Sequence, residues 1–377
     1  MMLTDTQRMI QSTARDFARK RLIPGAAKRD EEALFPTEEI AEMGQLGLMG
    51  MLIPEIWGGV EADYVSMALA IEEIAAGDGA ISTIMSVQNS LVTAGILRFG
   101  NDDQKERFLK PLAGGKMLGA FALSEPQAGS DAAALLCTAK LEGDDYLING
   151  TKQFITSGKH ADVTLVFAVT DRAKGKKGVS AFIVPTNSKG YNVAKLEDKM
   201  GQKSSDTAQL VFHDLRVPSA NRLGEEGEGY KIALANLEGG RIGIAAQSIG
   251  MARAALDIAL PYAKDRQAFG KPILHHQAVA FRLADMATEI EAARSLLHHA
   301  AQLRDANLPC LKEACMAKLF ASEMAERVCS AAIQTLGGYG YLRDFPLERI
   351  ARDVRVCQIY EGTSDVQRIV ISRELGG

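Results

Sequence analysis

Glu361 lies in the stretch IYEGTSDVQR, directly ahead of Gly362, Thr363 and Ser364. A carboxylate before three small residues, close to a helix start, has two readings. It is a surface charge beside a turn, or it is a base and the Gly-Thr-Ser corner leaves room for another molecule to lie against it. A second stretch, FALSEPQAGSD, spans residues 121–131. Glu125-Pro126 imposes an extended or turning backbone there. Ala128, Gly129 and Ser130 then permit close backbone approach and end on a hydroxyl. Such a turn can aim several N–H groups at one anion, or it is a plain connection between domains. In KDRQAFGKPILHHQ, Arg266 and Gln277 flank a Gly-Lys-Pro break. The arginine fork suits a diphosphate, although most arginines occupy solvated faces.

Other chemistries find little support. No Gly-x-Gly-x-x-Gly follows an early strand and no phosphate-binding Gly-x-x-x-x-Gly-Lys-Ser/Thr occurs, so a dinucleotide would be held without a Rossmann domain. The pairs His275-His276 and His298-His299 are adjacent, and helix neighbours do not face one another. Cys137, Cys310, Cys315, Cys329 and Cys357 form no Cys-x-x-Cys. We expect buried thiols rather than a disulfide framework, and no metal site.

These residues need elements to position them. The first part of the chain reads as helices. In DTQRMIQSTARDF, Met9, Ile10, Ala14 and Phe17 recur at helical spacing. Ile40, Met43, Leu46 and Met49 do the same in a run that Pro54 should end. VSMALAIEEIAAGDGAISTIMSVQNSLVTAGILRFG is apolar on nearly all sides, as in buried helices, with breaks at Gly77 and Gly79. Asn101 or Asp102 should cap the next helix and Gly114-Gly115 end it. From about residue 120 to 220 the texture changes to short Val, Ile and Phe runs between turn residues, which predicts an antiparallel sheet or small barrel. Asn149-Gly150 is its strongest hairpin signal. Helical texture then returns. Val279, Leu283, Met286, Ile290, Ala293 and Leu297 form a packing seam, Pro261 should kink one helix, and Gly337-Gly338 should close another. The expected fold is mainly α with a central β domain. It comprises an N-terminal α-helical domain over 1–117, a middle antiparallel β-barrel over 118–222 and a C-terminal four-helix bundle over 223–377.

The bulk numbers agree. A chain of 377 residues suggests two or three domains. Hydrophobic residues make up 47% and charged residues 24%, with a net charge of -4. That is ordinary globular composition without the basic footprint of a nucleic-acid binder. No unbroken apolar window of about 20 residues predicts a membrane span. The N-terminal segment carries no signal-peptide core, and Asp5 and Asp16 argue against a transit peptide, so a cytoplasmic location is expected.

Five stretches, ALSEPQAGSD, GTKQFITSG, DRQAFGKPILHHQ, QTLGGYGY and IYEGTSDVQRIVISR, resemble the acyl-CoA dehydrogenase family in that order and at family-like separations, over essentially the whole chain. GAISTIMSVQNSLV and EGGRIGIAAQSIGMARAALDIA are most similar to its short-chain and branched-chain members. The resemblance implies FAD as cofactor, an acyl-CoA thioester as substrate and α,β-dehydrogenation to trans-2-enoyl-CoA. It also implies roles in fatty-acid β-oxidation or amino-acid catabolism, electron transfer to an electron-transfer flavoprotein, and a homotetramer built as a dimer of dimers.

Residue by residue, the resemblance implies that Phe121, Ala122, Leu123, Ser124, Gly129 and Ser130 wrap the flavin and its diphosphate, with Ser124 beside the isoalloxazine. Phe154, Ile155 and Thr156 would cover its other flank. Arg266, Gln277, Gln334, Thr335, Leu336, Gly337 and Gly338 would reach the FAD of a neighbouring subunit, and Phe269 would also contact the cofactor. Thr363, Ser364 and Asp365 would contact diphosphate and adenosine. Ser130, Glu238, Arg241 and Gly362 would contact the acyl-CoA, and Glu361 would be the base. Some family members carry the base immediately before the arginine matched by Arg241; here that position holds Gly240, which cannot act.

The chemistry asks for this set. The acyl chain must lose a weakly acidic proton from Cα and a hydride from Cβ. The thioester oxygen needs donors where enolate charge develops, and a carboxylate serves as base only if a closed apolar pocket raises its pKa toward neutrality. Gln127, Phe154, Gln202 and Pro261 depart from the common family pattern; Gln202 bears on the acyl chain. An oxidase using O2 and a non-catalytic flavin- or CoA-binding scaffold are the competing readings, the latter disfavoured by an intact Glu361 and Arg241.

Overall fold

The computed structural model describes residues 2–376. Helix α1 (Asp5–Phe17) starts on a reciprocal cap between Thr4 and Gln7. Its buried residues are Gln7, Ala14 and Phe17, Ile10 packs half-buried against the same core, and of the expected apolar positions Met9 alone is exposed. Helix α2 (Thr37–Gln45) ends well before Pro54. Gly47, with φ +75°, turns the chain there, and Leu48 and Met49 are buried from the turn that follows.

Helices α3 (Tyr64–Gly77) and α4 (Gly79–Ser86) meet at Asp78. Its carboxylate accepts from the N–H groups of Ala80 and Ile81 and pairs with Arg29. Helix α4 continues through a wide π turn, Val87–Thr93, into Ala94–Phe99. The run Gly79–Phe99 is long and apolar enough to cross a membrane by composition, but 89% of its most apolar window is buried inside the protein.

The middle region is one eight-stranded sheet. The strands are β1 (Gly119–Ala122), β2 (Thr138–Glu142), β3 (Asp145–Thr156), β4 (Val163–Val169), β5 (Val179–Pro185), β6 (Tyr191–Leu196), β7 (Thr207–Pro218) and β8 (Arg222–Leu223). The order is β6-β7-β3-β2-β4-β5-β8, with β1 beside β4. The pairing is mainly antiparallel, but β1 and β2 each run parallel to β4. Strand β4 explains the continuous run VTLVFAV. Val163, Leu165 and Phe167 face the helices, and Val166 and Ala168 face a second core with Phe182, Val184 and Phe212.

Asn149-Gly150 is not a hairpin. The β2–β3 turn falls at Gly143-Asp144, with Gly143 at φ +67°. Gly150 sits inside β3 at a register shift. A Cβ there would lie 2.7 Å from Cys137 Cα, so this glycine answers close strand approach rather than a turn.

The C-terminal helices are α5 (Gly229–Asp265), α6 (Gln277–Asp305), α7 (Leu311–Leu336), α8 (Leu347–Val354) and α9 (Ser364–Gly376). Helix α5 does not stop at Pro261; an exposed proline near its end costs little packing. The expected α6 seam is buried from Leu283 to Leu297, with Val279 partly covered. Gly337, at φ +61°, ends α7. One apolar core joins α3 and α4 to α5, α6 and α7. All five cysteines are buried and free.

Candidate active site

The IYEGTS segment connects α8 to α9, and its backbone is left-handed at two successive residues, Glu361 (φ +52°) and Gly362 (φ +91°). A non-glycine residue tolerates that region only where its surroundings impose it, and these do. Gln367, fully buried on the first turns of α9, donates to the Glu361 carbonyl at 3.2 Å and the Gly362 carbonyl at 2.9 Å. Lys318 of α7, also fully buried, donates to the Gly362 carbonyl at 2.8 Å.

The bend lays the Glu361 carboxyl over α5 at Gly240. A Cβ built on Gly240 would lie 1.9 Å from Glu361 Oε2 and 2.8 Å from Cδ. The glycine is therefore the space the carboxyl occupies. Glu361 Oε2 is buried and lacks a hydrogen-bond partner among the described residues. Burial pushes this carboxyl up to about 7, with the Lys318 and Arg241 cations pulling the other way. Arg241 is itself 6% exposed, and its Nε is likewise buried and unpartnered.

Beside Tyr360-Glu361 lies a buried polar cluster. Thr83 donates to Gln202 Oε1 at 2.6 Å, Gln202 Nε2 donates to the Asp353 carbonyl at 3.1 Å, and Tyr360 donates to Gln247. Gln202, one of the departures noted in the sequence, thus has its amide satisfied inside the protein.

The FALSEPQAGSD loop is held from one side by β3. Gln153 N–H bonds the Ser124 carbonyl at 2.9 Å. Lys152 reaches the Leu123 carbonyl at 3.0 Å and Glu125 Oε1 at 2.7 Å. Glu125 and Ala128 close the turn by mutual backbone bonds of 3.0 Å. Gly129 and Ser130 face outward, and a Cβ at Gly129 would meet nothing within 4 Å. Phe121 and Ser124 are half-buried, whereas Ala122 and Leu123 are buried and serve the sheet. On β3, the register shift between Lys152 and Ile155 throws Phe154 outward, 65% exposed at φ +60°. Ile155 points inward and is buried, and Thr156 is half-buried.

A third group gathers elsewhere. Arg266, Gln334, Thr335, Leu336, Gly337 and Gly338 line one open cavity of about 530 Å³, together with Tyr262 and Tyr339. Nothing would meet a Cβ at Gly337 or Gly338 within 4 Å. Phe269 caps a short hairpin and is 96% exposed, and Gln277 opens α6 on the surface. Thr363 Oγ1 caps α9 through the Val366 N–H, Asp365 is exposed, and Ser364 Oγ is buried without a partner among the described residues. Glu238 pairs with Arg304 at 3.1 Å.

Outward-facing glycines, an aromatic at a strained bulge and an unpartnered Ser364 hydroxyl suit a large group with a planar ring and a diphosphate. FAD fits that description, and the loop and β3 would hold part of it.

Sequence reasoning missed Lys318 and Gln367. Lys318 left a faint signal: it falls on the same face of α7 as Ala314 and Ala321, both fully buried.

Residues 4–116, 120–215 and 227–376 match, respectively, the N-terminal, middle and C-terminal domains of acyl-CoA dehydrogenase. The short-chain specific acyl-CoA dehydrogenase of Rattus norvegicus mitochondria is 49% identical over 373 residues, covering 99% of this chain and 90% of its own. Among solved structures, butyryl-CoA dehydrogenase from Megasphaera elsdenii superposes with a TM-score of 0.98 at 44% identity, covering 100% of both chains. A chain in a structure concerned with the electron transferring flavoprotein of Acidaminococcus fermentans gives a TM-score of 0.98 at 47% identity, covering 100% of this chain and 99% of its own. Along its whole length, this chain belongs to the acyl-CoA dehydrogenase family.

Proposed function

We propose that the protein oxidises short-chain acyl-CoA thioesters to trans-2-enoyl-CoA, with Glu361 removing the α-proton and an electron-transfer flavoprotein taking the electrons. One observation carries the assignment of the base: a buried, unpartnered carboxyl, held in a left-handed bend directly over Gly240. Near pH 7 such a group is divided between its two forms. Its anionic form is a stronger base than an ordinary carboxylate, and enough of it is present to act. The surrounding residues exclude water from Oε2, so the approaching Cα–H meets a poorly solvated base. Gln367 and Lys318 fix the carbonyls on the far side of the bend, and the Glu361 N–H is the donor we assign to the thioester oxygen. FAD, when bound, would supply the acceptor for the hydride leaving Cβ. Arg241 and Lys318 lie close enough to favour the anion before turnover.

A short acyl chain is supported by the relatives and by the cluster Thr83, Gln202, Gln247 and Tyr360, which fills the interior beside Tyr360-Glu361 with hydrogen-bonded groups rather than apolar volume. The open cavity at Arg266 and Gln334–Gly338, with Phe269 standing out from the surface, supports cofactor contacts across subunits and hence a homotetramer. A cytoplasmic location belongs to the same reading, and cell fractionation checks it.

Mixing the yellow holoprotein with butyryl-CoA under anaerobic conditions tests the proposal. Bleaching that persists in air and is relieved by an electron-transfer flavoprotein is the expected result. Rapid recolouring with peroxide would make the protein an oxidase, and no bleaching with thioesters of four to sixteen carbons would make it a scaffold. Gel filtration at a fourfold mass checks the assembly.

A further inference from the structure

Lys318 is an expensive residue for its place. It is fully buried on a face of α7 that otherwise carries Ala314, Cys315, Ala321 and Ser322, and an ammonium in such a setting loses its hydration. No carboxylate lies within ion-pair distance of it among the described residues; its one hydrogen bond goes to the Gly362 carbonyl at 2.8 Å. A methionine would fill that volume without the electrostatic cost. The lysine instead meets the chain at the residue after the base.

We propose that Lys318 is a positioning residue for the reaction: it clamps the left-handed Glu361-Gly362 bend through the Gly362 carbonyl and supplies the buried positive charge that keeps the Glu361 carboxyl ionisable. The inference rests on Glu361 being the base. Two parts of the geometry support it. The Gly362 carbonyl accepts from Lys318 and Gln367 together, so the bend is held by one charged and one neutral donor. The Glu361 carboxyl has no hydrogen-bond partner of its own on Oε2, so charge nearby, rather than a direct bond, is what favours its anion.

The groups facing the pair are few. Lys318 faces Cys315 on its own helix, Arg241 from α5, and Cys357 and Glu361 from the segment after α8. Glu361 faces Lys318 and Arg241. Burial draws Lys318 down to about 8, so its ammonium persists through the neutral range. Removing it leaves desolvation of Glu361 opposed by Arg241 alone, and the base then binds its proton more tightly.

The experiment uses holoenzyme carrying Lys318→Met, Lys318→Gln or Gln367→Met, assayed with butyryl-CoA from pH 6 to 9. For Lys318→Met we expect a fall in kcat of about tenfold at pH 7, KM changed less than about twofold, the acid limb moved to higher pH, and recovery of the rate toward pH 9. Lys318→Gln should move the limb in the same way. Gln367→Met, which alters the clamp but no charge, should lower kcat with the limb in place. Difference infrared titration of the protonated Glu361 carboxyl, identified by its loss in Glu361→Gln, should follow the limb without any turnover. An unmoved limb in both Lys318 variants would overturn the proposal, as would loss of FAD in both, since the lysine would then serve only the fold. Full activity of Glu361→Gln would instead overturn the assignment of the base, so the two failures are told apart.

Discussion

Two glutamates, Glu125 and Glu361, are carried into the interior by the two motif loops, and they meet opposite treatment. Glu125 receives Lys152 at 2.7 Å, the N–H groups of Leu136 and Cys137, and the Gln127 amide. Burial raises it, but the lysine charge and these donors outweigh burial and hold it below its ordinary value. Glu361 is half-buried as a residue, but its Oε2 is buried and unpartnered, and desolvation wins. The difference separates a structural carboxylate from the one proposed as base. The first is satisfied and locks the FALSEPQAGSD loop; the second is left wanting a proton. Linkage runs in opposite senses. Stability from Glu125 is present above the unfolded carboxylate pKa and is lost as pH falls through its lower folded value. Stability from Glu361 is complete below about 4.5 and is lost as pH rises through about 7. Gln127 therefore has a role as it stands here: its amide helps satisfy Glu125.

The sharpest way to break this comparison is Glu361→Gln. It should retain FAD and lose roughly 10²–10⁴-fold in kcat, measured by stopped-flow reduction with butyryl-CoA. Activity within a few fold of the parent would remove Glu361 from its role. Next comes Lys152→Met, which strands the Glu125 carboxylate. We expect roughly 3–5 kcal/mol of lost stability, read from denaturant midpoints, with weakened FAD retention; an unchanged midpoint would show that the pair holds nothing. Gly240→Ala pushes a methyl into the place of Glu361 Oε2. A misplaced base should cost about 10²-fold in kcat with FAD retained, and a normal rate would mean the carboxyl sits elsewhere during turnover. The mildest test is pH alone. As the anion is the active form, kcat/KM should be roughly tenfold lower at pH 6 than on its plateau above about pH 8. A flat profile would mean that the base does not titrate near neutrality.

Much of the fold was legible because periodicity survives folding. The α6 seam, the break at Gly77–Gly79, the Asn101 cap and the stop at Gly337 all follow from local rules. The misreadings were also local. Asn149-Gly150 carries a turn signature, yet the glycine is used for close approach to Cys137 within a strand. Met9 has the right spacing but lies outside the stripe that packing selects. Pro54 is a breaker that the chain did not need, since α2 had already ended. In the candidate site, Glu361 and the FALSEPQAGSD loop were visible as motifs, whereas Lys318 looked like any lysine until the register of α7 buried it.

The sequence by itself determined which residue types are available and in what order: one glutamate before Gly-Thr-Ser, an anion-ready turn, and a glycine at position 240 where a base could have stood. Those are properties of short segments. Only the tertiary structure decided that the Glu361 carboxyl fills the space over Gly240, 121 residues earlier in the chain, and that Glu125 is neutralised while Glu361 is not. A carboxyl's basicity depends on the water it loses and the charges it meets, and both are set by segments far apart in sequence that only packing brings together.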